Sequence, residues 1–190
     1  MDGIFYILVC LFGCGGMVKS GLPAPEVFVK RACALGASDA RMVSPRKVFT
    51  AEWVRLKCQF GCGGFGEHLT CPPFSPTPEV MRRVLDEYEV GVLVHSGAPE
   101  WRELSPLIAK LEREAFLAGY YKALGLGSGP CDLCDACDVV GSCRHPEEAR
   151  PSMEACGIDV YRTAREAGFE IEVVRDSSCP QNYFALLLLL

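Results

Sequence analysis

The chain has 190 residues, 49% of them hydrophobic, and a formal net charge of −5. That length suits one domain, or one domain with a subdomain, and the apolar share is enough to build a buried core. An acidic chain with no long run of Lys or Arg lacks the basic surface that generic nucleic-acid binding needs, so nucleic acid is not an expected partner.

Residues 3–16 are apolar (GIFYILVCLFGCGG) but too short to span a bilayer, which takes roughly 20 residues. Asp2 precedes the run and Lys19 follows it, so the basic n-region of a signal peptide is missing and no membrane association is expected. Leu11-Phe12-Gly13-Cys14 weakly resembles a lipoprotein cleavage box, with Phe12 bulky for its position. The expectation is a natural start at Met17, with residues 1–16 a non-native or disordered extension and residues 17–190 a single cysteine-rich metal-binding domain.

Residues 25–36 carry Val27, Phe28, Arg31, Ala32 and Leu35 at helical spacing, with Gly36 as the stop. Residues 39–43 and 47–50 read as strands separated by Ser44-Pro45, and residues 51–57 fit either a strand or a helix. A loop rich in Cys, Gly and Pro follows over residues 58–78. Thr77 is a good N-cap and Pro78 a good first residue for a helix to residue 89, with Val80, Val84, Leu85 and Tyr88 on one face. Residues 90–95 predict a central strand, and residues 105–121 a helix burying Leu107, Ile108, Leu111, Ala115 and Leu117. A second cysteine-rich loop spans residues 125–143. Residues 150–168 read as helical with a break at Gly157, residues 170–174 as a strand, and residues 182–190 as a strand whose leucines imply burial on both faces. The pattern predicts an α/β or α+β fold with helices packed on a small mixed sheet and two cysteine-rich metal-binding loops.

Twelve cysteines dominate the chemistry. They cluster too tightly to staple distant parts of a secreted fold, which points to reduced thiolates around metal in a cytoplasmic protein. Cys131, Cys134 and Cys137 form a C-x2-C-x2-C run, and Cys143 follows after five intervening residues. Two-residue gaps let a tight loop aim successive thiolates at different corners of an iron–sulfur cluster, and the four-iron four-sulfur type is expected. Small residues at Gly127, Gly129, Ala136, Gly141 and Ser142 allow the backbone to wrap it, and Asp132, Asp135 and Asp138 are expected to face solvent. Zinc is the alternative, although structural zinc sites usually join two separated C-x2-C pairs.

Cys58, Cys62 and Cys71 make a second set, in a loop softened by Gly61, Gly63, Gly64 and Gly66. A fourth donor could be His68, Cys143 or Cys156. Counting permits two four-cysteine sites, each three-cysteine set taking one of Cys143 and Cys156, with Cys143 favoured for the first by proximity. Cys156 reads equally well as a core residue, and His68 as a surface or supporting group. Arg144, Arg150 and Arg162 could offset cluster charge or simply be solvated. Cys33 and Cys179 stand outside any motif and read as structural.

Residues 58–73 (CQFGCGGFGEHLTCPP), 129–137 (GPCDLCDAC) and 143–160 (CRHPEEARPSMEACGIDV) together resemble a bacterial and archaeal family of predicted metal-binding proteins, a domain of unknown function. The similarity runs from about Met17 to the end of the chain. It implies a cysteine-ligated metal, commonly presumed to be iron–sulfur. Cys131, Cys134, Cys137 and Cys143 would be the ligands, with Cys58, Cys62 and Cys71 a second functional set. Ser152 would cap the helix that follows. No reaction comes with the resemblance.

Three functions then compete. An electron-transfer or redox accessory protein, working with a redox partner, comes first. An iron–sulfur enzyme with an open iron site comes second, and a structural zinc module for partner binding third. A phosphate-binding loop is excluded, because residues 125–129 read G-x-G-x-G without the following Lys. The Cys58-x3-Cys62 spacing lacks the further C-x2-C step of a radical S-adenosylmethionine loop.

Overall fold

The leucine run at the C-terminus organises the architecture. The computed structural model describes residues 21–97, 100–176 and 178–190, so the expectations for residues 1–16 lie outside the described residues. Within them the elements run α1 (Glu26–Ala34), β1 (Asp39–Val43), α2 (Glu52–Gly61), α3 (Pro78–Asp86), β2 (Gly91–Gly97), α4 (Leu104–Leu117), β3 (Leu124–Leu126), α5 (Val160–Glu166) and β4 (Asn182–Leu188). The strands form one sheet in the order β1-β2-β4-β3. β4 therefore lies inside it, between β2 and β3.

Because side chains alternate across a strand, β4 feeds two cores. Phe184, Leu186 and Leu188 enter one core, with Val43, Leu93 and Leu126 from the other strands, Met81 and Leu85 from α3, and Val160 and Ala164 from α5. Ala185 and Leu187 enter the other, with Val92 and Val94 from β2, Phe28 and Ala32 from α1, and Leu104, Leu107, Ile108, Leu111 and Ala115 from α4. All the residues from Ala185 to Leu189 are fully buried, each leucine contributing roughly 1.5–3 kcal/mol. Burial on both faces is thus borne out, and the fold is α+β with helices on both sides of a small sheet.

The sheet differs from expectation in being antiparallel throughout rather than mixed. β2 and β3 run in the same direction, joined through α4, but β4 inserts between them, giving a split β-α-β unit. Residues 47–50 do not form a strand. Pro45 opens a 3-10 turn over Pro45–Lys47. The Arg82 guanidinium then donates to the carbonyls of Val48 (2.7 Å) and Pro45 (3.1 Å), taking acceptors a strand would use. Thr50 alone pairs, with Ile158. Residues 170–174 are also irregular, with the Ile171 carbonyl taken by Arg165 Nε and Nη2 at 3.2 and 2.9 Å.

The ambiguous residues 51–57 are helical, and α2 continues into the expected loop so that Cys58 stands on its last turn. Thr77 caps α3 through the Val80 N–H as expected, but Met81 rather than Val80 is buried. Leu117 is exposed at the end of α4. Gly157 breaks the 150–168 segment with φ +75°, and a side chain there would run into Pro78. A 3-10 turn (Glu154–Cys156) precedes it, with Ser152 Oγ accepting from the Ala155 N–H at 3.1 Å.

Candidate metal centre

The loop carrying Cys131, Cys134, Cys137 and Cys143 is irregular in itself, so its position depends on how its ends are held. At its start, Gly127 forms a bridge with Ser152, its N–H donating to the Pro151 carbonyl at 2.8 Å. Ser105 Oγ donates to the Ser128 carbonyl (3.1 Å) and accepts from the Ser128 N–H (3.2 Å). At its end, Arg150 makes a two-pronged contact with Glu112 of α4, Nε to Oε2 at 2.5 Å and Nη2 to Oε1 at 2.8 Å. Glu112 Oε2 also accepts from the Gly125 N–H at 2.8 Å. One carboxylate thus ties the strand entering the loop to the residue leaving it. Gly125 is required there, because a Cβ would stand 2.9 Å from that same oxygen.

Between these anchors, Cys131, Cys134, Cys137 and Cys143 line a common cavity with Leu133, Ser142, Arg144 and His145. His68, Leu69 and Thr70 of the other cysteine loop close it. The Leu69 N–H donates to Cys137 Sγ at 3.4 Å. Arg144 Nη2 donates to the Ala136 carbonyl at 2.6 Å, stapling the loop across its width. Asp132, Asp135 and Asp138 are exposed, as expected. Burial pushes the Cys131 thiol up; the Leu133 amide opposes this, and Cys143, Cys137 and Asp132 add to it.

Cys58, Cys62 and Cys71 line a second cavity of about 580 Å³, whose walls include Trp53, Lys57, Phe65, Glu154, Tyr161 and Tyr183. Cys58 and Cys62 are one helical turn apart, Cys62 being the extended residue that ends α2. The loop returns through Gly66, with φ +77° and its N–H on the Pro72 carbonyl at 2.8 Å, and through the Cys71 N–H on the His68 carbonyl at 2.9 Å. The sulfurs of Cys62 and Cys71 both come within 3.7 Å of the point where a Gly64 side chain would begin. The Gly64 N–H donates to Cys62 Sγ at 3.4 Å. Burial pushes the Cys71 thiol up to about 11, with Cys62, Cys58 and Cys131 adding to it. Burial also raises Cys58, which faces Cys62 and Glu154.

Residues 68–72 form the partition between the two cavities: His68, Leu69 and Thr70 face the first, Cys71 and Pro72 the second. Cys156 faces neither cavity. It is wholly buried in the core with Met153 and Ile158, and burial pushes its thiol up to about 12. Cys33 and Cys179, read as structural, line neither cavity: Cys33 is exposed on α1 and Cys179 lies beside Asp176.

Ten cysteines of the described residues are free. Among the described residues no three His, Cys, Asp or Glu side chains are grouped to hold a single metal ion. The donors suit soft metals, since each cavity gathers at least three thiols, and a peptide N–H points at one sulfur of each. The described residues also contain two buried side-chain oxygens without a hydrogen-bond partner, Thr70 Oγ1 and Glu154 Oε2. Thr70 belongs to the wall of the first cavity and Glu154 to that of the second. Sequence reasoning passed over Glu112 and Glu154. Glu112 carried a signal, being a charged residue four positions after Ile108 on the buried stripe of α4.

No helix among the described residues is long and apolar enough to cross a membrane. No curated protein and no solved structure matches the chain. The model of the family described as predicted metal-binding protein matches residues 41–189, a span that includes every cysteine of both cavities, and the chain belongs to that family.

Proposed function

We propose that this protein binds a four-iron four-sulfur cluster through Cys131, Cys134, Cys137 and Cys143 and serves as a cytoplasmic electron carrier or redox accessory for a partner protein. The observation that supports this most is that all four thiols of one C-x2-C-x2-C-x5-C run line a single cavity. A cluster held there would accept and release electrons.

The protein's own groups account for the rest. The four thiols supply ligands once deprotonated. The Leu69 N–H on Cys137 Sγ draws negative charge from a ligand sulfur, which favours the reduced form. His68, Leu69, Thr70 and Leu133 limit water on the inner side. The Glu112–Arg150 clasp fixes both ends of the loop, so that little reorganisation accompanies a change of charge. Val140, 96% exposed within the same loop, offers a partner an apolar contact close to the ligands.

Analysis of anaerobically prepared protein tests the proposal. Iron and acid-labile sulfide are expected in similar amounts in a brown protein. Stoichiometric zinc without sulfide, from cells grown with ample iron, would overturn the reading in favour of a structural zinc module.

A further inference from the structure

The wall of the second cavity includes one carboxyl group, that of Glu154. Glu154 Oε2 is inaccessible to solvent and has no hydrogen-bond partner. Its ionisable neighbours are the thiols of Cys58 and Cys156. The nearby cation, Arg55, donates instead to the carbonyls of Pro76 (3.1 Å), Pro73 (3.3 Å) and Ser75 (3.5 Å). A buried carboxyl oxygen left without a partner is costly unless a proton or a cation joins it.

We infer that Cys58, Cys62 and Cys71 hold a second iron centre, an iron–sulfur cluster rather than a single ion, whose fourth ligand is the Glu154 carboxylate, not Cys156. The α2 helix packs against the 3-10 turn that carries Glu154, placing Cys58 Sγ 3.9 Å from the Glu154 carbonyl. Cys62 and Cys71 converge over Gly64, both sulfurs lying within 3.7 Å of the point where a side chain there would begin. Cys156, two residues beyond Glu154, is buried in packed core and lines neither cavity. Three thiolates with one carboxylate suit iron, and the carboxylate is the weaker partner of the four. The corner it occupies is the one an added ligand would displace, and the cavity beyond, with Trp53, Lys57, Tyr161 and Tyr183 on its walls, has room for one.

The test is Mössbauer spectroscopy and iron analysis of full-length protein loaded with iron-57. In the unaltered protein, a component from iron with an oxygen ligand is expected beside the sulfur-ligated iron. Sulfur-only coordination at every iron would overturn the inference without any variant having to fold. Among variants, C62S and E154Q should lose the same part of the iron together with the oxygen-ligated component. E154D should recover it, and C156A should keep all of it. C134S should lose the other part, so failure of the first centre is separable from failure of the second. Iron lost in C156A but kept in E154Q, or iron unchanged in C62S, would contradict the assignment.

Discussion

The two cysteine sets differ in how the chain assembles them. Cys131, Cys134, Cys137 and Cys143 come from one short loop, and the fold's part is to pin that loop's ends to α4. Cys58, Cys62 and Cys71 come from a helix, its terminus and a returning loop, and they open onto a much larger cavity. The first set depends on local spacing for its geometry and on Glu112 for its placement. The second depends on α2, the 68–72 partition and the turn at residues 154–156 all staying in register. A closed site suits passing electrons, whereas an open one suits contact with an added molecule.

The sharpest way to break this contrast is to delete one thiol from each set. Each ligand carries a large share of metal binding, so C134S should abolish the main cluster absorbance while C62S leaves it largely intact. Equal loss in both variants would mean one centre built from both loops. The next effect concerns the clasp. Arg150 and Glu112 side chains are only 16% and 15% exposed, and removing one partner of such a pair leaves the other charge uncompensated. Arg150→Ala should cost about 3 kcal/mol in denaturant unfolding and speed cluster loss several-fold. Arg144→Ala, whose partner Ala136 lies on the exposed side of the loop, should have a much smaller effect on stability.

A third prediction concerns pH. Burial holds Cys71 at about 11 and Cys156 at about 12, above the usual thiol value of roughly 8.5. An acid whose folded value is raised contributes stability that is full below its unfolded value and lost as pH rises through the folded one. Metal-free protein should therefore lose stability from about pH 8.5 upward in thermal melts, as these thiols begin to ionise in the unfolded chain. Metal-loaded protein should show the opposite sensitivity, releasing metal on acidification as protons compete for the thiolates. The smallest effect belongs to cysteines outside both cavities: C33S and C179S should leave metal content and melting temperature unchanged.

Much of this was legible from local pattern. β1, β2, α3 and β4 follow from spacing, capping and apolar runs that each element carries within itself. The run at residues 131–143 was legible for the same reason. What escaped depended on distant partners. Residues 124–126 read as loop because two leucines around one glycine carry no strand signal, yet β4 supplies the pairing. Residues 47–50 looked like a strand until Arg82, more than thirty positions away, claimed the carbonyls of Val48 and of nearby Pro45. The Glu112–Arg150 clasp spans 38 positions, and although Glu112 stood out on a buried stripe, nothing local identified Arg150 as its partner. Glu154 was invisible as a candidate because a carboxylate in a segment that reads as helical is ordinarily solvated; only the fold buries its Oε2 and leaves that atom without a partner.

The central claim is that the 131–143 loop holds an iron–sulfur cluster. X-ray absorption at the iron and zinc edges of anaerobically purified protein tests it most directly. The account predicts an iron edge with a sulfur shell and a short iron–iron vector, both diminished in C134S as the iron of the 131–143 loop is lost. A zinc edge with a sulfur shell and no metal–metal vector would contradict it.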